Sequence, residues 1–163
     1  MSQRANFIAS ALKEVGTKEN PPNSNKVKYN DNNGQFWCGY FVMWCAKKVN
    51  LRIPNCIYTP AGVVGFQGKG LWSNSATSKP LKGGEIAFFD FPNGEKVDHV
   101  GIVIKDNGDG TVTTVEGNTT ADGKAGSQSN GGEVCLKIRA YKIKNKRKLP
   151  VYIVGFGLPK FKD

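Results

Sequence analysis

Histidine is almost missing from this chain: of 163 residues, only His99 carries an imidazole. Any reaction that needs an imidazole near neutral pH must use that one position. Acidic residues are also scarce, 13 against 23 Lys and Arg, which leaves a net charge of +10. That balance attracts a polyanion, whether nucleic acid, an anionic membrane face or an anionic cell wall, without choosing among them. No Cys-x-x-Cys pair occurs among Cys38, Cys45, Cys56 and Cys135, which argues against a structural zinc site. Cys38 and Cys45 lie two turns apart on one predicted helix and cannot be bridged. Cys56 and Cys135 would pair only by coincidence of fold. No apolar run approaches the length of a membrane span. The N-terminus, Met1 to Asn6, lacks the basic and apolar regions of a secretory signal. The expectation is a protein synthesised in the cytoplasm without a signal peptide, its thiols reduced.

What is present argues for one folded domain over residues 1–163. The chain is 39% hydrophobic and 10% aromatic, with 20 glycines and 8 prolines, a composition that suits short strands and many turns. Residues 3–15 read as an amphipathic helix, with Phe7, Ile8, Ala11, Leu12 and Val15 as its apolar stripe and Gly16 as its stop. A polar loop over 17–36, rich in asparagine, is long for a compact domain and suggests a ligand-facing role. A short helix is expected near 61–66, followed by Trp72 after a glycine-rich bend. From Pro80 onward the pattern turns to strands: 85–90, 99–104, 111–116, 133–141 and 151–156, separated by turns at 80–84, 92–94 and 106–110. Helices first and an antiparallel meander afterwards make an α+β fold.

One stretch stands out, Phe36 to Lys48. It reads as a buried helix running to about Val49, with Phe41, Trp44, Cys45 and Lys48 at three- and four-residue spacing. Cys38 falls on its first turn, where unpaired N–H groups and the helix dipole favour a thiolate. A cysteine there is either a small core residue or a nucleophile.

The turn at 106–110 folds the strands around His99 and Glu116 into a hairpin. A four-residue loop would set His99 opposite Glu116; a five-residue loop would make them diagonal neighbours. Either register supplies what nucleophilic catalysis requires, a base for the thiol and an acid to orient the base. In that scheme Cys38 attacks, His99 pairs with the thiolate and protonates the leaving amine, and Glu116 orients His99. Asn118, two residues on, supports Glu116 or His99. The backbone N–H of Cys38 is one oxyanion donor, with Asn32, Asn33 and Gln35 as candidates for a second.

Four segments in order, Trp37 to Cys45, Lys82 to Phe89, His99 to Val103 and Val115 to Asn118, resemble the CHAP domain. This is the cysteine, histidine-dependent amidohydrolase/peptidase family, a relative of NlpC-type and papain-like cysteine peptidases. The resemblance implies a papain-like α+β fold with N-terminal helices packed on an antiparallel sheet. It further implies peptidoglycan as substrate and amide hydrolysis through Cys38, His99, Glu116 and Asn118, in the manner of phage endolysins and bacterial wall hydrolases. Glu85 stands where relatives usually carry Asp.

Some relatives bind calcium in an acidic N-terminal loop. Here that loop offers only Glu19 and Asp31 as carboxylates, so no metal site is expected. The segment 106–110 reads as a turn, since the glutamate that follows an EF-hand loop is absent. Trp37, Tyr40 and Trp72 are candidates to line a cleft for peptide or sugar. Lys137, Arg139, Lys142, Lys144, Lys146, Arg147 and Lys148 form a basic segment. It reads either as a protected strand edge or as a surface for teichoic acids and similar wall polymers. The expected protein acts as a monomer, without cofactor or nucleic-acid partner, on the wall after release or as part of a phage particle. The competing readings are a non-catalytic wall- or polyanion-binding module and a cysteine protease or amidase acting on protein.

Overall fold

The computed structural model describes residues 1–92, 94 and 96–162; Asn93 of the expected 92–94 turn lies outside them. Three helices come first: α1 (Gln3–Leu12), α2 (Cys38–Lys48) and α3 (Thr59–Gly68). Six strands follow: β1 (Trp72–Asn74), β2 (Ile86–Phe89), β3 (His99–Asp106), β4 (Thr111–Thr119), β5 (Glu133–Ala140) and β6 (Ile153–Gly157). They form one antiparallel sheet in the order β1-β6-β2-β3-β4-β5. The α+β expectation holds, but the sheet is not a simple meander. Only β2 to β5 run in sequence, and β6 returns to the far side of β2 with the short strand β1 beyond it.

α1 ends earlier than its apolar stripe suggests. Phe7 and Ala11 are buried, whereas Leu12 and Val15 are exposed. The chain turns after Lys13 because the next segment is claimed by the sheet. Gly16 donates to the Val134 carbonyl, Val134 donates to Thr17, and Lys18 bridges Glu133. Tertiary pairing overrides a weak local preference here.

α2 packs across β3 and β4. Its buried face is Cys38, Gly39, Phe41, Val42, Cys45 and Ala46. Trp44 and Lys48 fall on its outer side, where Lys48 lies over the Trp44 ring. The main core is built between the helices and one face of the sheet, from Phe7, Trp37, Phe41, Phe66, Phe88, Val100, Ile102 and Val115. A smaller cluster on the opposite face contains Phe89, Phe91, Val103, Val112, Tyr141 and Phe156. Strand alternation thus sends Val100 and Ile102 towards the helices and leaves His99 and Gly101 on the other side.

The β3–β4 hairpin gives the diagonal arrangement of the two expected, reached through an irregular register. Asp106 pairs with Val112, Lys105 with Thr113, Val103 with Thr114 and Ile102 with Val115, with an irregularity between Val103 and Lys105. The connection is the turn that the sequence suggests. Asp106 accepts from Gly108, Leu81 and Tyr141, and Asp109 accepts from Thr111 and Arg147. Continuing the register places Glu116 across from Gly101, with His99 its diagonal neighbour.

Candidate active site

Cys38 opens α2 and His99 opens β3, so two element ends meet where the helix lies against the sheet. Gly39 lets the segment at Cys56 and Ile57 pack on the first turn of α2: a Cβ there would overlap the carbonyl of Cys56. Gly101 plays the same part for the acid, since a Cβ there would stand 2.5 Å from Cγ of Glu116. Chain entry into β3 is constrained too. Val97 holds a positive φ of 56°, costly for a β-branched residue, and its carbonyl accepts from Thr59 Oγ1.

His99 is fully buried, with Nε2 2.9 Å from Oε2 of Glu116. Its Nδ1 is buried without a hydrogen-bond partner among the described residues. Cys38 is the other group coupled to the ring, so Nδ1 is the nitrogen left for the thiol. Burial alone would favour the neutral imidazole, but Cys38 and Glu116 outweigh it and push the pKa of His99 up to about 9. The rings of Phe89 and Phe91 flank the imidazole at 5.4 and 5.7 Å.

Glu116 is fully buried and makes four contacts through its carboxylate. Arg139 grips it in a fork, Nε to Oε1 at 2.8 Å and Nη2 to Oε2 at 2.6 Å. Thr114 Oγ1 donates to Oε1 at 2.7 Å, and His99 takes the remaining site on Oε2. Burial opposes ionisation, yet the Arg139 charge and its hydrogen bonds hold the carboxyl well below the usual range. A charge-assisted fork of this kind fixes orientation as well as charge. Arg139 and Thr114 are the positions that sequence reasoning missed. Val112, Thr114 and Glu116 alternate on one strand face and Arg139 pairs with Val112 across β4 and β5, so the signal lay in a register that the sequence alone does not disclose.

Asn118 goes elsewhere. It has a φ of 56° rather than the extended backbone that would share a face with Glu116. Its amide donates to Asn25 and Asn130, and its oxygen accepts from the Gly132 N–H at 3.0 Å. Asn118 therefore ties two loops together beside the site, and among the described residues it makes no hydrogen bond to His99 or Glu116. Among the oxyanion candidates, Asn32, Asn33 and Gln35 lie on exposed loop. Gln35 accepts from Tyr40 OH at 2.9 Å, and Asn33 donates to the same hydroxyl.

The expected aromatic lining is corrected. Trp37 is fully buried, its Nε1 donating to Glu19 and its ring packed on Tyr29. Trp72 packs on Phe88 from the edge strand, and Tyr40 lies on the outer side of α2. Cys38 instead opens into a cleft of about 350 Å³ lined by Phe36, Tyr58, Thr59, Asp98, Ser129 and Asn130, among others. Phe36 and Tyr58 are each 64% exposed, so the cleft's aromatics flank the buried stretch instead of belonging to it.

The basic segment is corrected as well. Lys137 is 1% exposed, donating to the Thr120 carbonyl and Gln128 and pairing with Asp122. Arg139 belongs to Glu116. Inward-facing positions of β5 put both out of reach of a polymer, leaving Lys142, Lys144, Lys146, Arg147 and Lys148 at the surface. No group of three or more His, Cys, Asp or Glu among the described residues is placed to hold a metal, and no helix there is long and apolar enough to cross a membrane. All four cysteines are free thiols.

Comparison with known proteins agrees with this architecture. The family model for the CHAP domain matches residues 29–118, more than half of the chain. Among solved structures, the chain is similar to the crystal structure of Ly7917, at 16% identity and a TM-score of 0.53, over 95% of this chain and 62% of that one. At that identity the likeness shows the fold alone, and this chain spans about three fifths of the other's length. Comparison with curated proteins finds no match.

Proposed function

The chain belongs to the CHAP family, and on that premise we propose that it cleaves an amide bond of peptidoglycan by cysteine nucleophilic catalysis, as a phage-type lysin. The bond is either the amide joining muramic acid to L-alanine or a peptide bond of the stem or cross-bridge. The observation that carries this reading is the single histidine, buried beside Cys38 with one nitrogen held by Glu116 and the other left for the thiol.

The chemistry follows from that arrangement. Cys38 Sγ, as thiolate, attacks the carbonyl carbon, and the oxyanion that forms is met by N–H groups on the first turn of α2. His99, as imidazolium, protonates the leaving nitrogen, and the C–N bond breaks to give an amine and a thioester. Water entering from the cleft then loses a proton to His99 and attacks the thioester, releasing a carboxylic acid and restoring the thiolate–imidazolium pair. Glu116, kept anionic by Arg139, stabilises the imidazolium in both halves. Nucleophile, acid and base all come from this chain, and we propose no cofactor. Phe36 and Tyr58 would give the flanking sugar or peptide its apolar contacts. The protein would act as a monomer, on the wall after release or from a phage particle.

The test incubates purified peptidoglycan with wild-type protein, Cys38→Ala and His99→Ala, and analyses soluble products by mass spectrometry. New fragments from wild type alone support the reading, and their termini name the bond. Fragments that persist in both variants would overturn the mechanism. Cleavage of protein substrates with wall left intact would move the substrate from wall to protein.

A further inference from the structure

At the end of the helices opposite Cys38 lies a second concavity, of about 540 Å³, between residues 50–54, the end of α3 and the C-terminal tail. α2 is 11 residues long, which at 1.5 Å per residue separates the two sites by about 16 Å. Its rim carries Arg52, Lys69, Lys160 and Lys162, all exposed, and no carboxylate from the described residues lines it. Its floor is apolar, with Phe66 and Leu71 among the lining residues.

The walls are anchored. Gln3 donates to the carbonyls of Val49 and Asn50 and accepts from the Lys162 N–H, strapping the tail to the end of α2. Phe161 is packed on Phe7 and beneath the Arg4 guanidinium. Lys69 caps α3, where a cation complements the helix dipole. The other three cations stand on the loop that follows α2 and on the C-terminal tail. The basic segment at 137–148, meanwhile, has its two innermost cations turned inward, Arg139 onto buried Glu116 and Lys137 onto the Thr120 carbonyl and Gln128.

We infer that this pocket is a binding site for a phosphodiester polymer of the cell wall, which seats the enzyme on its substrate surface. Spread cations around a rim suit repeated phosphates better than one compact anion. Arg52 supplies a fork and the lysines point charges, while the apolar floor accepts the polyol backbone. A single-stranded nucleic acid would call for exposed aromatics to stack its bases, and none lines the pocket. The inference rests on the wall reading only for the identity of the polymer.

The experiment measures binding to purified Gram-positive sacculi, intact or stripped of phosphodiester polymer with hydrofluoric acid, using Cys38→Ala protein to prevent digestion. Adding the triple change Arg52→Glu, Lys69→Glu and Lys160→Glu should weaken binding to intact sacculi about tenfold or more and steepen none of the residual salt dependence. Binding to stripped sacculi should be weak and unchanged by it. A control triple of equal charge change, Lys144→Glu, Lys146→Glu and Lys148→Glu, should cost no more than about threefold. Equal losses from the two triples, or equal binding to intact and stripped sacculi, would overturn the site. So would a loss confined to binding of a single-stranded DNA oligonucleotide. If the pocket triple melts early, Arg52→Gln with Lys160→Gln reads the same contrast with a smaller loss. Failure of wild-type protein to release fragments from stripped sacculi would count against the hydrolase instead, because that arm needs no phosphate polymer.

Discussion

Lys137 and Arg139 belong to the same basic run as Lys146 and Arg147, yet the two ends of that run behave as different chemistry. At the β5 end each cation faces inward and is consumed: Arg139 by Glu116, Lys137 by Asp122, Gln128 and the Thr120 carbonyl. At the far end Lys144, Lys146 and Lys148 are exposed, and Arg147 pairs with the partly exposed Asp109. A buried charge pair is costly to break because the partner is left uncompensated, whereas an exposed pair contributes little. Charge in a sequence is therefore a poor guide to a binding surface until the strand face is known.

The largest effect expected from breaking this contrast lies at its inner end. Arg139→Ala should cost about 3–5 kcal/mol of stability, read from denaturant unfolding, by leaving Glu116 buried and unpaired. It should also remove nearly all hydrolysis of peptidoglycan. Arg139→Leu combined with Glu116→Gln should recover much of the stability but little of the activity, because the stranded charge is gone but the imidazolium has lost its partner. A double variant as unstable as Arg139→Ala would show that the fork is not what holds this face.

Next in size is the pH dependence. His99 is raised above its ordinary value, so its contribution to stability is complete at low pH and is lost as pH rises through about 9. Activity that needs the imidazolium should fall on the same alkaline limb. Glu116 is depressed, and its contribution is present at neutral pH and lost only as pH falls into the acid range. Glu116→Gln should therefore move the alkaline limb of the rate profile downward by more than one unit; an unmoved limb would separate Glu116 from His99.

Lys137→Met should have a middle effect, about 1–3 kcal/mol, since the Thr120 carbonyl and Gln128 lose their donor. The loop it holds contains Ser129 and Asn130 of the cleft, so KM should rise more than kcat falls. At the small end, Lys146→Ala should change stability by less than about 0.5 kcal/mol, with the melting temperature as the check. A large shift there would mean that the outer lysines are structural after all.

Much of the protein follows from local rules. The α+β order, the helix opened by Cys38, the strand opened by His99 and the turn at 106–110 are set by apolar period, glycine and the side chains that start and stop elements. That His99 and Glu116 meet followed from hairpin connectivity, and it survived an irregularity in the register, because the diagonal neighbours it leaves on one sheet face are still within reach. The early end of α1, the return of β6 to β2 and the inward turn of Trp37 were decided by pairing and packing between distant segments. So were the Arg139 fork, the loop-tying of Asn118 and the gathering of Arg52, Lys69 and Lys160 at one rim. The sequence alone determines which groups can do chemistry and which short stretches hold them, since propensity and periodicity act over a few residues. Which charges face each other and which face water was left to the tertiary structure, because burial and register are properties of segments brought together from far apart.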